Sequence, residues 1–223
     1  MIKSKSDYLY YLEADRISLS KPINIGFKDW LLSLIFPDYI WLFQKNLRKL
    51  EYYTNCRKGV FSYFYKIMLL KKHNRLSLKL GFSIPMNVFG PGLSIAHYGT
   101  IIVNGGARVG ANCRLHASVN IGTMAGYSNK APSIGDNCYI GPGAKIYGDI
   151  VIGNRIAIGA NAVVNKSFIE DNIAIGGIPA KKIGDINVFE ILIPGTELCN
   201  RKMNIDNSIV GLSAKELYQK YKF

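Results

Sequence analysis

Histidine is the side chain best suited to move a proton at neutral pH, because the imidazole has an ordinary pKa of about 6.5. The chain contains three histidines, His73, His97 and His116, and four widely separated cysteines. Cys113 and His116 are three residues apart, but one such pair supplies too few ligands for structural zinc. No metal site is therefore expected. Proton transfer by a histidine is the chemistry that these residues suggest.

A six-residue repeat must position these histidines. An aliphatic residue recurs every six positions, a period that fits neither an α-helix nor a flat strand. It predicts a solenoid in which three short strands and three turns make one coil, with the aliphatic side chains along its axis. We therefore predict a mainly β protein, a parallel β-helix. The matching positions are Val109, Leu115, Ile121, Ile134, Ile140, Ile146, Ile152, Ile158 and Val164.

Two interruptions of the repeat are candidate site positions. The first slips the phase by two residues between Ile95 and Val103, and His97 lies within it. The second falls between Ile121 and Ile134, where a loop is expected to leave the solenoid. Loops of this kind often border binding sites. The sequence therefore directs attention to His97 and to this loop.

Residues 1–80 have the pattern of helices, residues 81–183 form the predicted β-helix, and residues 184–223 form a C-terminal extension. Apolar residues recur at helical spacing over 27–35, and Asp38 can cap the helix that follows. A third apolar segment ends near His73, which is expected in a solvated basic cluster. Packing within the protein or against a neighbouring subunit is the favoured role of these stripes. A peripheral contact with the inner membrane surface is the alternative. Ser213 is expected to cap a short final helix.

The net charge of +13 lies mainly in the first 80 residues, which carry 15 Lys and Arg against 6 Asp and Glu. Such a charge attracts nucleic acid, an anionic membrane or a phosphorylated ligand. The chain has no recognisable nucleic-acid motif, so no nucleic-acid partner is expected. The N-terminus is too polar for a signal peptide, and no apolar run approaches the ~18 residues of a membrane span. A cytoplasmic location is the expectation.

From Ile84 to Ile183 the chain resembles the hexapeptide-repeat acyltransferases, especially the serine acetyltransferase branch and its relatives in polysaccharide gene clusters. The resemblance implies a left-handed β-helix, usually a trimer, that uses acetyl-CoA as co-substrate between adjacent subunits. It is carried by the motifs Ile95-Ala96-His97-Tyr98-Gly99-Thr100-Ile101, Val119-Asn120-Ile121-Gly122-Thr123, Ile140-Gly141-Pro142-Gly143-Ala144-Lys145, Ile158-Gly159-Ala160-Asn161 and Gly177-Ile178-Pro179-Ala180-Lys181.

Individual roles follow from the same resemblance. His97 corresponds to the catalytic base. Contact with the acceptor is expected from Lys130, and Ser83 is a candidate to orient His97. His116 has no counterpart in the serine enzymes, which have glutamine at the matching place; its corner position near His97 predicts contact with the acceptor or the coenzyme. The expected coenzyme contacts are Gly122, Thr123, Gly126, Pro142, Ala160, Lys181 and Lys182.

Three departures from the family pattern bear on the acceptor. Ala96 replaces an aspartate, Ala131 replaces a histidine, and the orienting aspartate falls at Phe82 or Ser83. The leading hypothesis is therefore an O-acetyltransferase acting on a hydroxyl of a sugar or saccharide precursor. The alternatives are a serine O-acetyltransferase of cysteine biosynthesis, N-acylation of an amino sugar, a zinc-dependent relative and a non-catalytic solenoid that only binds. An acetyl-CoA turnover test separates the enzymes from the binding module.

Overall fold

The computed structural model describes residues 1–201 and 207–223. Helices occupy most of the first 80 residues, and short strands follow. The helices of this first region are α1 (Lys5–Ser18), α2 (Phe27–Ile35), α3 (Tyr39–Cys56) and α4 (Val60–Leu80). The strands are β1 (Phe82–Ser83), β2 (Ser94–Ile95), β3 (Ile101–Val103), β4 (Arg108–Val109), β5 (Arg114–Leu115), β6 (Asn120–Gly122), β7 (Ser133–Ile134), β8 (Tyr139–Ile140), β9 (Lys145–Tyr147), β10 (Val151–Ile152), β11 (Ala157–Ile158), β12 (Val163–Val164), β13 (Ile173–Gly177) and β14 (Ala180–Asp185).

Successive strands are distributed in rotation over three sheets, with the orders β1-β3-β6-β9-β12, β10-β7-β4 and β14-β13-β11-β8-β5-β2. All pairings are parallel except that of β13 with β14. Ile140 pairs with Ile158 and Ile146 with Val164, so each coil uses three six-residue repeats. All four of these aliphatic side chains are fully buried. The parallel-strand architecture predicted from the repeat is confirmed.

The interruptions of the repeat are connections between strands. Residues 96–100 join β2 to β3, and residues 123–132 form a loop between β6 and β7. At the far end, β14 folds back antiparallel on β13 and covers the edge of its sheet.

Helix α3 attaches the helical region to the first coil. Asp38 caps it by accepting a hydrogen bond from the Trp41 amide, as predicted. Phe43 and Leu47 are fully buried and belong to the same core as the strands. Packing against the end of the repeat is therefore confirmed for this helix.

A buried ion pair reinforces that attachment. Arg48 of α3 and Asp15 of α1 are both fully buried, and Nε of Arg48 lies 2.8 Å from Oδ2 of Asp15. Oδ1 of Asp15 also accepts hydrogen bonds from the Gly92 and Leu93 amides. Arg48 in turn donates to the Phe89 carbonyl at 2.9 Å. The pair thus binds two helices to the turn that precedes β2.

The structure narrows one expectation for the helical region and shows that another is wrong. Helix α2 has no buried residue, so its apolar stripe does not pack within the chain, and the neighbouring subunit and the membrane surface stay as its expected partners. Phe27 is 78% exposed, and Phe36, just beyond the helix, is 76% exposed. His73 does not lie in a solvated cluster, because it is 9% exposed and stacks on Phe43 with ring centroids 5.0 Å apart. Burial accordingly lowers the pKa of His73 below its ordinary value.

The C-terminal extension packs on α1. It contains the 3₁₀ segments Val188–Glu190 and Asn207–Ile209, and the helices α5 (Gly195–Asn200) and α6 (Ala214–Tyr221). Ser213 and Glu216 form a capping box at the start of α6, so the predicted final helix is confirmed. Ile17 of α1 is buried against Leu198 and Leu217 of the extension. In the described part of the chain, every helix is too short or too polar to cross a bilayer.

Candidate active site

His97 lies two residues after the end of β2, at a corner of the coil. Ile95 pairs with Leu115, Leu115 with Ile140, and Ile140 with Ile158. Continuing this register by two residues aligns His97 with a column of small residues, Ala117, Pro142 and Ala160. Backbone hydrogen bonds hold neighbouring coils together along this column. The Gly143 amide donates to the Ala117 carbonyl, and the Asn161 amide donates to the Pro142 carbonyl.

The column leaves a shallow path on the protein surface. Pro142, Ala160 and His97 are exposed, and a small side chain at each position after His97 keeps the path open. The structure therefore brings together three residues that the resemblance assigned separately to the base and to the coenzyme. His97 stands at one end of this path.

His116 lies directly beside His97. Their ring centroids are 5.9 Å apart, and the His116 ring also contacts Tyr139 at 4.9 Å. Within the described residues, Nε2 of His116 is buried and has no hydrogen-bond partner. Burial, together with the nearby Arg114 and His97, lowers the pKa of His116 from 6.5 to about 4. His116 is therefore neutral at physiological pH and presents an unpaired polar atom.

Neither position at which the resemblance expects an orienting aspartate, Phe82 or Ser83, carries a carboxylate. Phe82, at the expected position of the aspartate, is buried and packs edge-on against Phe43 at 5.1 Å. Ser83 is exposed in β1, beside Ile102 of β3. Among residues 1–201 and 207–223, no hydrogen bond joins Ser83 to His97. The role of Ser83 stays a prediction.

A cleft of about 620 Å³ is lined by His116 and by Ala96, the residue before His97. Its floor is the sheet that contains β2, β5 and β8, and its walls come from the α1–α2 connection, the start of α3 and the C-terminal extension. The floor residues are Ile95, Ala96, Arg114, His116 and Tyr139, and the walls include Ser18, Leu19, Ser20, Lys21, Asp38, Glu190, Ile191, Ile193 and Leu212 to Ala214.

The remaining predicted site residues lie further along the coils. Gly122 ends β6, Thr123 and Gly126 begin the loop, and Lys130 stacks on the ring of Tyr127 with Nζ 4.5 Å from its centroid. Lys181 is exposed on β14. Lys182 is occupied, since its Nζ lies 2.6 Å from Glu170 and 2.8 Å from Asp185. Contacts of these residues with a coenzyme stay predictions.

Two residues of the cleft were missed by sequence reasoning. Arg114 and Tyr139 precede the inward aliphatic residues of β5 and β8, so both point away from the core and pair in register. Large side chains at these outward positions, next to a histidine, are the signal that identifies them. No three His, Cys, Asp or Glu side chains are gathered as metal ligands in the part of the chain that the structure describes.

Comparison with known proteins supports this assignment of the repeat. Residues 131–166 match the family model described as bacterial transferase hexapeptide (six repeats). A serine acetyltransferase from Mycobacterium tuberculosis is 35% identical over 101 residues, which is 45% of this chain and 44% of that protein. The chain thus carries the repeat of the hexapeptide transferases and is similar to serine acetyltransferases. It spans less than half the length of this curated relative.

Solved structures extend the similarity over more of the fold. The crystal structure of a serine acetyltransferase from Brucella abortus strain S19 has a TM-score of 0.62 and 25% identity, covering 82% of this chain and 72% of that chain. The structure of serine acetyltransferase in complex with coenzyme A from the same strain has a TM-score of 0.63 and 24% identity, covering 82% and 70%. The shared fold includes helices as well as strands, since coverage exceeds the repeat region.

Proposed function

We propose that this protein is an acetyl-CoA-dependent O-acetyltransferase. The observation that carries the proposal is the position of His97, at the end of the path of small corner residues and beside the cleft that His116 lines. A narrow acyl donor can follow the path while an acceptor occupies the cleft, so that the two meet at His97. The similarity to serine acetyltransferases, one of them solved with coenzyme A, supports acetyl-CoA as the donor.

His97 acts as the general base in this proposal. Its imidazole removes the proton of the acceptor hydroxyl as that oxygen attacks the thioester carbonyl carbon. The tetrahedral intermediate collapses with cleavage of the carbon–sulfur bond, and the imidazolium returns the proton to the thiolate of coenzyme A. Because His97 is exposed at a corner, both substrates can reach it from the surface. His116 stays neutral and offers a hydrogen bond to the acceptor.

Serine is the acceptor that the comparisons favour. The similar curated proteins reported above and the similar folds are serine acetyltransferases. Serine O-acetylation is therefore the first activity to test, ahead of the saccharide acceptor that the sequence departures suggest.

A saccharide hydroxyl is the second candidate, and the size of the cleft favours it. Clefts of about 300–1,000 Å³ enclose ligands of drug size. The volume of about 620 Å³ falls in that range and exceeds what one small amino acid fills. Ala96 also leaves no carboxylate next to His97 to bind an amino group.

Coenzyme A release from acetyl-CoA tests both candidates, with L-serine and a panel of sugars and nucleotide sugars as acceptors. His97→Ala should lower kcat by ~10²–10⁴-fold, the usual contribution of a general base. Acetyl-CoA binding, measured separately by calorimetry, should persist in this variant. Wild-type turnover that His97→Ala leaves intact would refute the mechanism, and binding of acetyl-CoA without turnover of any acceptor would favour a non-catalytic module.

The assembly and the membrane contact are part of the same proposal. We propose a left-handed coil and a homotrimer, on the resemblance to the hexapeptide acyltransferases; sedimentation equilibrium tests the trimer. We also propose that exposed apolar residues of α2, among them Phe27 and Trp30, contact an anionic lipid surface. The charge of residues 1–80, 15 Lys and Arg against 6 Asp and Glu, complements such a surface.

Vesicle flotation tests the lipid contact. The protein should float with vesicles containing phosphatidylglycerol and remain behind with pure phosphatidylcholine vesicles. Replacing Phe27 and Trp30 with serine should abolish flotation. If the wild-type protein does not float, and if the double variant dissociates an oligomer that the wild type forms, α2 would instead belong to a contact between subunits.

A further inference from the structure

Among the residues that the structure describes, the cleft beside His97 contains one cation without a counter-ion. Four charged side chains line it, Lys21, Asp38, Arg114 and Glu190. Lys21 is neutralised, because its Nζ lies 2.5 Å from Oδ2 of Asp38. Glu190 lies on the wall, 3.9 Å from Lys215. Within the described residues, Arg114 makes no ion pair, and Nη1 donates one hydrogen bond, to Oγ of Ser94 at 3.1 Å.

The fold holds this guanidinium partly away from water. Arg114 is half-buried, Ser94 beneath it is 3% exposed, and Tyr139 lies beside it in register. Burial lowers the pKa of Arg114 below its ordinary value. A guanidinium nevertheless remains charged at physiological pH and presents five N–H donors in a rigid fork. One hydrogen bond to Ser94 leaves most of those donors available to a ligand.

His116 adds a second unpaired group on the same floor. It lies two residues after Arg114 in the chain, and its buried Nε2 has no partner among the described residues. A buried polar atom without a hydrogen bond is destabilising, and a cation in a low dielectric is more so. A bound molecule that supplies an anionic group to Arg114 and a hydroxyl to His116 removes both penalties.

We propose that the cleft selects acceptors with a carboxylate or phosphate group, which Arg114 binds while His116 hydrogen-bonds the hydroxyl that is presented to His97. The inference rests on the proposed acetyl transfer and adds the chemical class of the acceptor. Two sources have this chemistry: the carboxylate of an amino acid, or the acidic group of a uronic acid or sugar phosphate. A bidentate carboxylate or phosphate contact is the geometry that arginine favours.

Binding measured without acetyl-CoA tests the inference independently of turnover. Isothermal titration calorimetry compares glucuronate with glucose, and L-serine with L-serinamide. In the wild type the carboxylate member of at least one pair should bind at least ~10-fold more tightly, equivalent to ~1.4 kcal/mol. The pair that shows the preference identifies the source of the anionic group.

Variants then assign the preference to one side chain. Arg114→Gln should abolish it, and Arg114→Lys should restore part of it, because lysine keeps the charge but not the fork. Arg108→Gln is the matched control, since Arg108 lies on another sheet and donates to the carbonyls of Gly105 and Ala107. Thermal unfolding confirms that each variant is folded.

The outcomes separate this inference from the proposed function. A carboxylate preference that depends on Arg114, without acetyl transfer to any acceptor, upholds the binding site and refutes the enzyme. Acetyl transfer to neutral acceptors, with Arg114→Gln unchanged in acceptor KM, upholds the enzyme and refutes the binding site. Equal affinity for charged and neutral probes, including no binding of either, also overturns the inference.

Discussion

Replacing His116 with glutamine should reduce the pH dependence of the free energy of unfolding below neutrality. In the folded protein burial lowers the pKa of this imidazole from 6.5 to about 4. In the unfolded chain the group returns to its ordinary value of about 6.5. Between these two values the unfolded state therefore binds more protons than the folded state, so stability falls as the pH falls.

The magnitude follows from the two pKa values. Each pKa unit corresponds to about 1.4 kcal/mol, which sets an upper bound of about 3 kcal/mol for His116 at and below ~pH 4. Because the ring is only half-buried, solvent screening should reduce the cost to about 1–2 kcal/mol there and to about 0.5–1 kcal/mol at ~pH 5.5. Above ~pH 7 the cost should vanish, because the imidazole is then neutral in both states. A loss of this size is a large part of the stability of an ordinary domain.

Urea unfolding at several pH values between ~4.5 and ~7.5 measures the effect. Carboxylates and His73 titrate in both proteins, so the informative quantity is the wild-type minus His116→Gln difference, which should grow as the pH falls. If the free energy of unfolding changes with pH in the same way in the wild type and in His116→Gln, the assignment of a lowered pKa to His116 is wrong.

Three further predictions test the scaffold and the donor path. Arg48 is paired with two buried carboxylates, Asp15 and Glu51. Asp15→Asn removes one of them and should destabilise the fold by about 1–3 kcal/mol in urea unfolding; a loss under ~0.5 kcal/mol contradicts the pairing. Gly110→Ala places a Cβ 2.8 Å from backbone atoms of the next coil and should lower the free energy of unfolding by about 1–3 kcal/mol. Gly184→Ala is its control: the added Cβ has no atom within 4 Å, so the free energy of unfolding should change by less than ~0.5 kcal/mol. Ala160→Tyr should raise KM for acetyl-CoA at least ~10-fold and leave acceptor binding unchanged, because it blocks the corner path and not the cleft; equal effects on both substrates would contradict separate sites.

Much of the solenoid was predictable because its determinants are local. An aliphatic residue every six positions requires one inward side chain per short strand, and the structure buries Leu115, Ile140 and Ile158 in register. Caps are equally local, since the side chain of Ser213 reaches an amide only three residues away. The sequence drew attention to His97 because it lies within one of the two interruptions of the repeat, and an interruption is visible in the sequence itself; its catalytic role stays a proposal.

The environments of charged and polar side chains were not predictable in the same way. The expected solvation of His73 was wrong because α3 places Phe43 against it, and contacts between helices do not follow from the spacing within one helix. Helix α2 is exposed although it has an apolar stripe. Such a stripe indicates that one face of a helix can be buried, but it does not identify the surface that covers this face.

The sequence by itself therefore determined the repeat, its interruption at His97 and the caps of α3 and α6, because these depend on residues a few positions apart. Only the tertiary structure decided that Asp15 pairs with Arg48 and that segments near residues 20, 114, 139 and 190 enclose one cleft. It also decided that Nε2 of His116 is buried and the imidazole neutral, and that Arg114 has no counter-ion among the described residues. The physical reason is that burial and electrostatic partners are set by which distant segments pack together, and that information is not contained in local spacing.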